Sequence, residues 1–405
     1  MTLFWFELSK ADRERTDAWL RALRGEEAFD SLGLADLLEH LSDRLYPGTV
    51  TGMTRARYLL IVPAIYKYIA RHPDNDPFQQ SKRLQARFAK QIGTREKGNL
   101  GVRAGEDLSR FPSSLYWSVL RQLQILRRDD VTERQYLDAV KDGTRHELRD
   151  DDGVEHRERT APETWWAPEA RCELGIRDGR FTNATLELTR EERRFLRERY
   201  LDRAKHSFLA YCIGTNARLG DVGPWQTRVR AALHPWMGHA QAFRAILRIA
   251  NLLYAFFVTE RRLARLRLDA EAKASDEEAR ATTKEALERC LREHRRRLAE
   301  WDPGSFLVRL GLHGDRSGRQ ERFLEALRAE ISAATDAADL IRRTRARIVE
   351  REAEVRPGKR RLGDQPHGDL LRQWERREDP DLLYEPSSRH NVARRIVEDL
   401  REGTR

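Results

Sequence analysis

The chain contains few cysteines, and their scarcity excludes several kinds of protein. Three occur among 405 residues, at Cys172, Cys212 and Cys290. Their number is odd, they are widely spaced and none belongs to a CxxC pair. Neither a disulfide framework nor a cysteine-rich zinc site is therefore predicted. Free cysteines are typical of a reducing compartment, so we expect a cytoplasmic protein.

Long apolar runs are also missing. The N-terminal stretch MTLFWFELSKADRER lacks the basic region followed by an apolar region that marks a signal peptide. The most apolar run, residues 246–258, contains Arg248 and Asn251 and is shorter than the roughly 20 residues that cross a bilayer. We expect no membrane segment and interpret this run as a buried core helix.

Catalytic signatures are absent from the sequence as well. It has no GxSxG or HExxH, and its glycines match neither GxGxxG nor GxxxxGK[ST]. His234 and His239 are separated by residues that include Pro235 and Gly238, which does not favour one helical face. We therefore predict no metal, no cofactor and no enzymatic activity. A nuclease centre assembled from scattered Asp, Glu and Lys stays open as an alternative.

Charge is what the sequence has in abundance. Charged residues make up 35% of the chain and hydrophobic residues 40%, with a net charge of +10 and a pI near 9.7. Arginine outnumbers lysine by about six to one, and its planar guanidinium group suits phosphate. A GC-rich genome accounts for most of that ratio but not for the net charge. The composition favours a polyanionic partner.

Helical periodicity recurs through most of the chain and predicts an all-α (mainly α) fold. Because 405 residues are more than a single hydrophobic core usually supports, we predict that the chain has four parts. These are an N-terminal helical, DNA-binding domain over 1–145, a charged linker over 146–164, a bundle of long helices over 165–355, and a basic tail over 356–405 with a short terminal helix.

Capping residues and apolar stripes place individual helices. In the N-terminal part they predict helices over 34–45, 54–70 (with Pro63 inside), 79–91, one capped by Ser113 or Ser114, and one beginning with a capping box at Thr132 and Gln135. In the later part they predict a helix after the Thr189–Glu192 box, one over 239–268, one from a Ser275–Glu278 cap to Trp301, and a single helix over 320–354.

The first candidate binding site covers residues 47–58. Thr49 and Thr51 precede a predicted helix start, and Arg55 and Arg57 lie just inside it. Free N–H groups at a helix start bind anions, and arginine adds phosphate capacity. The alternative is a capped turn whose arginines pair with acidic residues of the preceding helix, namely Asp36, Glu39 or Asp43.

The second candidate covers residues 82–110, where eight Lys and Arg outnumber three acidic residues. Two helices joined by a turn and followed by a basic Gly-rich loop fit a helix-turn-helix or winged-helix arrangement. A solvated basic loop beside a core Tyr116–Trp117 pair is the alternative. The predicted contacts are Arg95, Lys97, Arg103 and Arg110 of this segment, together with Ser113 of the helix start that follows it.

The third candidate covers residues 342–361, with nine Lys and Arg against three Glu. Arg343 and Arg347 share one helical face, and Lys359 and Arg360 extend the charge into a loop. This segment fits either the backbone of a nucleic acid or an acidic protein surface. A solubilising helix end is the alternative.

Several motifs together resemble an uncharacterised bacterial domain-of-unknown-function family. The chain has YPGTVT at residues 46–51 where that family has a stretch like FPGTST, an Arg-x-Arg-Tyr at residues 55–58, and PSSLYW at residues 112–117. LTREERRFLRERYLDRAKHSFLAYCI also resembles its middle section. Tyr46 and Val50 depart mildly from the pattern. The resemblance implies no established activity, but such proteins tend to be encoded near helicases and nucleases of phage-defence type.

These observations lead to one expected function and one alternative. We expect a non-catalytic accessory subunit of an anti-phage system that binds double-stranded DNA and works with a helicase or nuclease of the same operon. The alternative is a helical scaffold that docks such a partner without contacting DNA.

Overall fold

The computed structural model describes residues 30–100, 111–147, 161–220, 223–363, 368–372, 374 and 389–401. Helices dominate these ranges, and their strands form one two-stranded hairpin, which confirms the mainly α prediction. The winged-helix detail stays a prediction. In chain order the helices are α1 (Ala35–Leu45), α2 (Tyr58–Arg71), α3 (Pro77–Ile92), α4 (Pro112–Gln122), α5 (Glu133–Glu147), α6 (Arg190–Arg203), α7 (Phe208–Thr215), α8 (His234–Arg265), α9 (Ala270–Glu300), α10 (Pro303–Leu310), α11 (Asp315–Ala333), α12 (Ala337–Val355), α13 (Gly368–Arg372) and α14 (His390–Leu400). The strands are β1 (Ile176–Arg177) and β2 (Arg180–Phe181).

The chain forms two compact units. The first unit comprises Met1–Leu41 and His234–Ser388, and the second comprises Ser42–Leu233 and Arg389–Arg405. Each unit is therefore built from segments that are distant in sequence. The four parts predicted from composition stay a prediction, and residues 148–160 of the predicted linker lie outside the described residues.

The second unit is built around α2, which is buried along most of its length and continues through Pro63. The ring of Tyr66 packs against those of Trp117, Tyr136 and Trp166, with centroids 5.2, 5.6 and 6.2 Å apart. Such aromatic pairs each contribute about 0.5–1.5 kcal/mol beyond the area they bury. The indole N–H of Trp166 donates to the Tyr136 hydroxyl at 2.9 Å, so this aromatic cluster also satisfies its polar atoms.

The first unit has α8 as its core helix. Together with the short helical turn that precedes it, α8 covers residues 231–265. Among the described residues it is the one helix that is long and apolar enough to cross a membrane, and 83% of its most apolar stretch is buried inside the protein. α9 runs antiparallel to it. Arg262 pairs with Asp276 at one end of the two helices (2.9 Å), and the Trp301 indole N–H donates to His239 Nδ1 at the other (3.1 Å). This packing explains the apolar run as the interior of a helical bundle.

Two helices, α11 and α12, occupy the stretch where one was predicted over 320–354. Ala334 is extended, and the carboxylate of Asp336 accepts a hydrogen bond from the Asp339 N–H at 2.8 Å. Asp336 is thus the N-cap of α12, so the prediction of a single helix is wrong. An aspartate ahead of a helical stripe is a strong N-cap signal, and the sequence carried it.

Of the capping residues predicted for four helix starts, two assignments are wrong and two are confirmed. α9 begins at Ala270 behind the N-cap Asp269, so Ser275 lies inside the helix. α4 begins at Pro112, which suits the first helical position because it lacks an N–H, so neither Ser113 nor Ser114 is its N-cap. The capping boxes at Thr189–Glu192 and Thr132–Gln135 are both formed.

Candidate nucleic-acid interface

The loop before α2 does not offer the open anion site predicted for it. The helix begins at Tyr58. The carboxylate of Asp399 accepts hydrogen bonds from the Ala56 N–H at 2.7 Å and from Arg55 Nε at 3.0 Å. Burial raises the pKa of this carboxyl, while Ala56 and Arg55 act to lower it. A carboxylate of the protein itself thus occupies the position predicted for a phosphate.

The threonines of this loop are divided between the interior and the surface. Thr49 is buried and its hydroxyl donates to the Tyr46 carbonyl at 2.6 Å, whereas Thr51 is exposed. Thr49 therefore closes the turn at Pro47–Gly48 and does not face solvent.

Arg57 is 1% exposed and forms a bidentate ion pair with Glu192, whose side chain is 5% exposed. Nε and Nη2 of Arg57 lie 3.0 and 2.9 Å from the two carboxylate oxygens, and Nη1 donates to the Thr185 carbonyl. The pairing of Arg55 and Arg57 with acidic residues follows the alternative interpretation, but the partners are Asp399 and Glu192 rather than those named for it. Arg57 is bound inside the protein and is not available to a polyanion in this conformation.

Ser113 is also buried. Its N–H donates to Gln85 Oε1 at 2.9 Å, and its hydroxyl donates to Glu133 Oε1 at 2.8 Å. Both bonds connect α4 to neighbouring helices. The PSSLYW motif therefore contributes to the core around Tyr66. The Tyr116–Trp117 pair is buried, as the alternative interpretation of the second candidate site predicted.

Apart from the half-buried Lys82, the basic residues of α3 and of the following loop are exposed. Arg83, Arg87 and Lys90 follow one another at spacings of four and three, so they share one helical face. In the loop, Arg95 and Lys97 are exposed, and Arg95 also donates to carbonyls at the end of α3. The predicted contacts Arg103 and Arg110 lie outside the described residues.

The β1–β2 hairpin lies against this helix, and no strand was predicted there. Its two-residue turn, Asp178–Gly179, has positive φ values of 48° and 70°, as a type I′ turn requires. Asp-Gly between strand-forming residues is a strong hairpin signal in any sequence, and this sequence carries it.

The two faces of the hairpin differ in chemistry. Phe181 is buried against Phe88 of α3, with ring centroids 5.2 Å apart. Arg177 and Arg180 are directly opposite each other across the strands, and both are exposed. Because side chains alternate between the faces of a strand, the apolar packing of Phe181 directs both arginines outward.

We call the combined area the helix–hairpin surface. It comprises Arg83, Arg87, Lys90, Arg177 and Arg180, with Arg95 and Lys97 beside it. The turn lies next to α3, since Arg87 Nη1 donates to the Gly179 carbonyl at 3.4 Å. Among the described residues, Lys90, Lys97, Arg177 and Arg180 form no ion pair, while Arg83 pairs with Asp74.

The basic segment 342–361 of the first unit is largely neutralised. Arg343 pairs with Asp339 (2.9 Å) and with Glu330 (3.6 Å). Arg347, one turn further along α12, is half-buried, whereas Lys359 and Arg360 are exposed in the loop that follows.

A buried carboxylate holds that loop in place. Glu352 is 0% exposed and accepts hydrogen bonds from the Tyr254 hydroxyl (2.6 Å) and from the N–H groups of Arg361 (3.0 Å) and Leu362 (2.8 Å). Lys359 and Arg360 therefore form a smaller, ordered basic loop.

The described residues contain no group of three or more His, Cys, Asp or Glu side chains that could hold a metal ion. His239 Nδ1 accepts the Trp301 indole N–H, and burial together with Arg309 lowers the pKa of this histidine. Burial raises the pKa of the Cys212 thiol to about 12. Such a thiol is protonated at neutral pH and is a poor nucleophile.

One comparison with known proteins finds a match. The model of a Family of unknown function (DUF6361) matches residues 1–366. No curated protein and no solved structure matches the chain.

Proposed function

Because the chain belongs to this family of unknown function, its activity has to be inferred from its own residues, and we propose that it is a non-catalytic protein that binds double-stranded DNA. The observation that carries the proposal is the helix–hairpin surface. There the turn of a hairpin lies against a helix from a distant part of the sequence, and both elements carry exposed arginine and lysine side chains.

The arrangement of Arg177 and Arg180 supports a polyanionic ligand. Two like charges that lie directly opposite each other on antiparallel strands destabilise the pairing of the strands, by an amount on the order of 0.2–1 kcal/mol. A phosphate group between the two guanidinium groups turns that repulsion into attraction, because each can donate to it.

The spacing of the cations supports an extended ligand. Arg83, Arg87 and Lys90 span two turns of α3, or about 10 Å at 1.5 Å per residue, and the hairpin adds a second row. Duplex DNA carries closely spaced phosphates on both strands and takes most of its non-specific affinity from such contacts.

The experiment measures duplex binding by fluorescence anisotropy over a range of salt concentrations. We expect wild-type affinity to fall steeply with salt. The double variant Arg177→Ala/Arg180→Ala is expected to bind on the order of tenfold more weakly, with a salt slope smaller by about 2, because each lost phosphate contact removes about 0.9.

The matched control is Arg228→Ala/Arg230→Ala, which removes the same charge from exposed positions of the second unit. Equal losses in both double variants would mean that only net charge matters, and the helix–hairpin surface would be rejected. If wild type binds duplex no better than an unrelated basic protein, a scaffold that docks a protein partner becomes the better account.

We extend the proposal to the cell on the strength of the family resemblance. The protein would act in the cytoplasm as an accessory subunit of an anti-phage system, beside a helicase or nuclease of the same operon. Cells carrying the operon should lose protection in a plaque assay when it encodes Arg177→Ala/Arg180→Ala and keep it with the control pair. Unchanged protection by the first variant would contradict this role.

A further inference from the structure

A cleft of about 480 Å³ opens beside the helix–hairpin surface, within the second unit. Its walls come from the end of α2, from α3 and from the hairpin turn. The lining residues with charged or aromatic side chains are Tyr68, Asp74, Arg83, Arg87 and Asp178. The volume falls within the range typical of small-molecule sites, so the cleft is large enough for one nucleotide.

One wall of the cleft carries positive charge. Arg83 and Arg87 are one turn apart on α3, so both guanidinium groups belong to the same face of the helix. Arg87 is positioned by its hydrogen bond to the Gly179 carbonyl, and among the described residues it pairs with no carboxylate. A guanidinium group that no carboxylate neutralises suits a phosphate.

Another wall carries an aromatic ring. Tyr68 is half-buried and stacks on His72, with centroids 4.8 Å apart and the planes 9° from parallel. His72 thus covers one face of the phenol ring. An aromatic ring at the edge of a basic surface is the kind of platform on which unpaired bases stack.

Two carboxylates also line the cleft. Asp74 is exposed and bonded to Arg83, and Asp178 is exposed at the hairpin turn. Carboxylates accept hydrogen bonds from the exocyclic amino groups of bases. A purely anionic ligand gains nothing from them, whereas a nucleotide has a phosphate for Arg87, a ring for Tyr68 and an amino group for Asp178.

We infer that this cleft binds one unpaired nucleotide of a DNA molecule held on the helix–hairpin surface, as at a single-stranded end. The inference rests on the proposed function, since the surface has to hold the DNA first. Bases inside a duplex are stacked on their neighbours and cannot enter a concave site, so the cleft discriminates DNA with an unpaired end from blunt duplex.

The test compares two DNA molecules that share one duplex, one blunt and one with a short single-stranded overhang on either strand. Wild type is expected to prefer an overhang by on the order of tenfold, the size of one stacked base. Tyr68→Ala should abolish that preference and leave blunt-duplex affinity unchanged, while Tyr68→Phe should keep it. Tyr211→Ala, which removes another half-exposed tyrosine of the same unit, is the control and should behave as wild type.

A second measurement needs no variant. A fluorescent adenine analogue in the overhang should be quenched when wild-type protein binds, and the same analogue inside the duplex should not. Equal affinity for blunt and overhang DNA, with no quenching, would overturn this inference and leave duplex binding standing. Failure to bind either DNA would overturn both.

Discussion

Arg57 illustrates how a residue that looks like a phosphate ligand serves the interior instead. Its partner Glu192 is both a member of the α6 capping box, where it accepts the Thr189 N–H at 2.9 Å, and the counter-charge of Arg57. The pair therefore connects the start of α2 to the start of α6. Two desolvated charges are tolerated because each has the other, together with further hydrogen bonds.

Removing one partner leaves the other charged and buried. We expect Arg57→Ala to lower the free energy of unfolding by about 3–5 kcal/mol, measured by urea denaturation of the purified protein. Replacing both residues, as in Arg57→Met/Glu192→Leu, should restore much of this loss. If Arg57→Ala costs less than about 1 kcal/mol, the buried pair described above is not the state in solution.

At the scale of elements, the hairpin determines whether the basic surface exists. Its four strand residues contribute little stability alone, because an isolated hairpin is marginal in water. Packing of Phe181 on Phe88 and the bond from Gln91 to the Phe181 carbonyl attach it to α3. The turn then decides the direction of Arg177 and Arg180.

Gly179→Val should open the turn without unfolding the protein. At a φ of +70° a β-branched residue is strained, and its Cβ would lie 2.6 Å from the Arg87 guanidinium. We expect duplex affinity to fall about as far as in Arg177→Ala/Arg180→Ala, with an unchanged helical circular dichroism spectrum. Asp178→Asn is the control for the turn, because Asn-Gly also forms type I′ turns, and it should not weaken duplex binding. Wild-type binding by Gly179→Val would show that the hairpin does not orient the ligand contacts.

At the scale of the whole molecule, buried tyrosines make the fold sensitive to alkali. Burial raises the pKa of several tyrosines of the second unit, and for Tyr116 it does so to about 12. The others are Tyr46, Tyr58, Tyr66, Tyr136 and Tyr200. In the unfolded chain they ionise near the ordinary value of 10.

Stability should therefore be complete below pH 10 and fall as the pH rises above it. Unfolded tyrosines release protons in that range while folded ones keep theirs, so each contributes a loss of up to about 1.4 kcal/mol per pH unit. Urea denaturation between about pH 8 and pH 11 measures the fall, and the tyrosinate absorbance of these six side chains should appear together with unfolding. Ionisation of all ten tyrosines near pH 10 in a protein retaining its helices would contradict the burial.

Some local features follow from the sequence because their causes are local. The 3.6-residue apolar period of α2 and α8 and the capping boxes at Thr132 and Thr189 depend on neighbours within a turn, so the helical class and several helix positions could be predicted. The break at Asp336 and the Asp178–Gly179 turn are equally local, and they were missed although their signals were present.

Other features were decided by the tertiary structure alone. A lysine or an arginine looks the same in the sequence whether its side chain faces water or a carboxylate. Arg57 pairs with Glu192, which lies 135 positions away, and Arg55 pairs with Asp399, which lies 344 positions away. For the same reason the packing of the hairpin that carries Arg177 against the helix that carries Arg87 could not be predicted from the sequence. Charge density is a property of composition, whereas the availability of each charge depends on long-range packing, which no local pattern encodes.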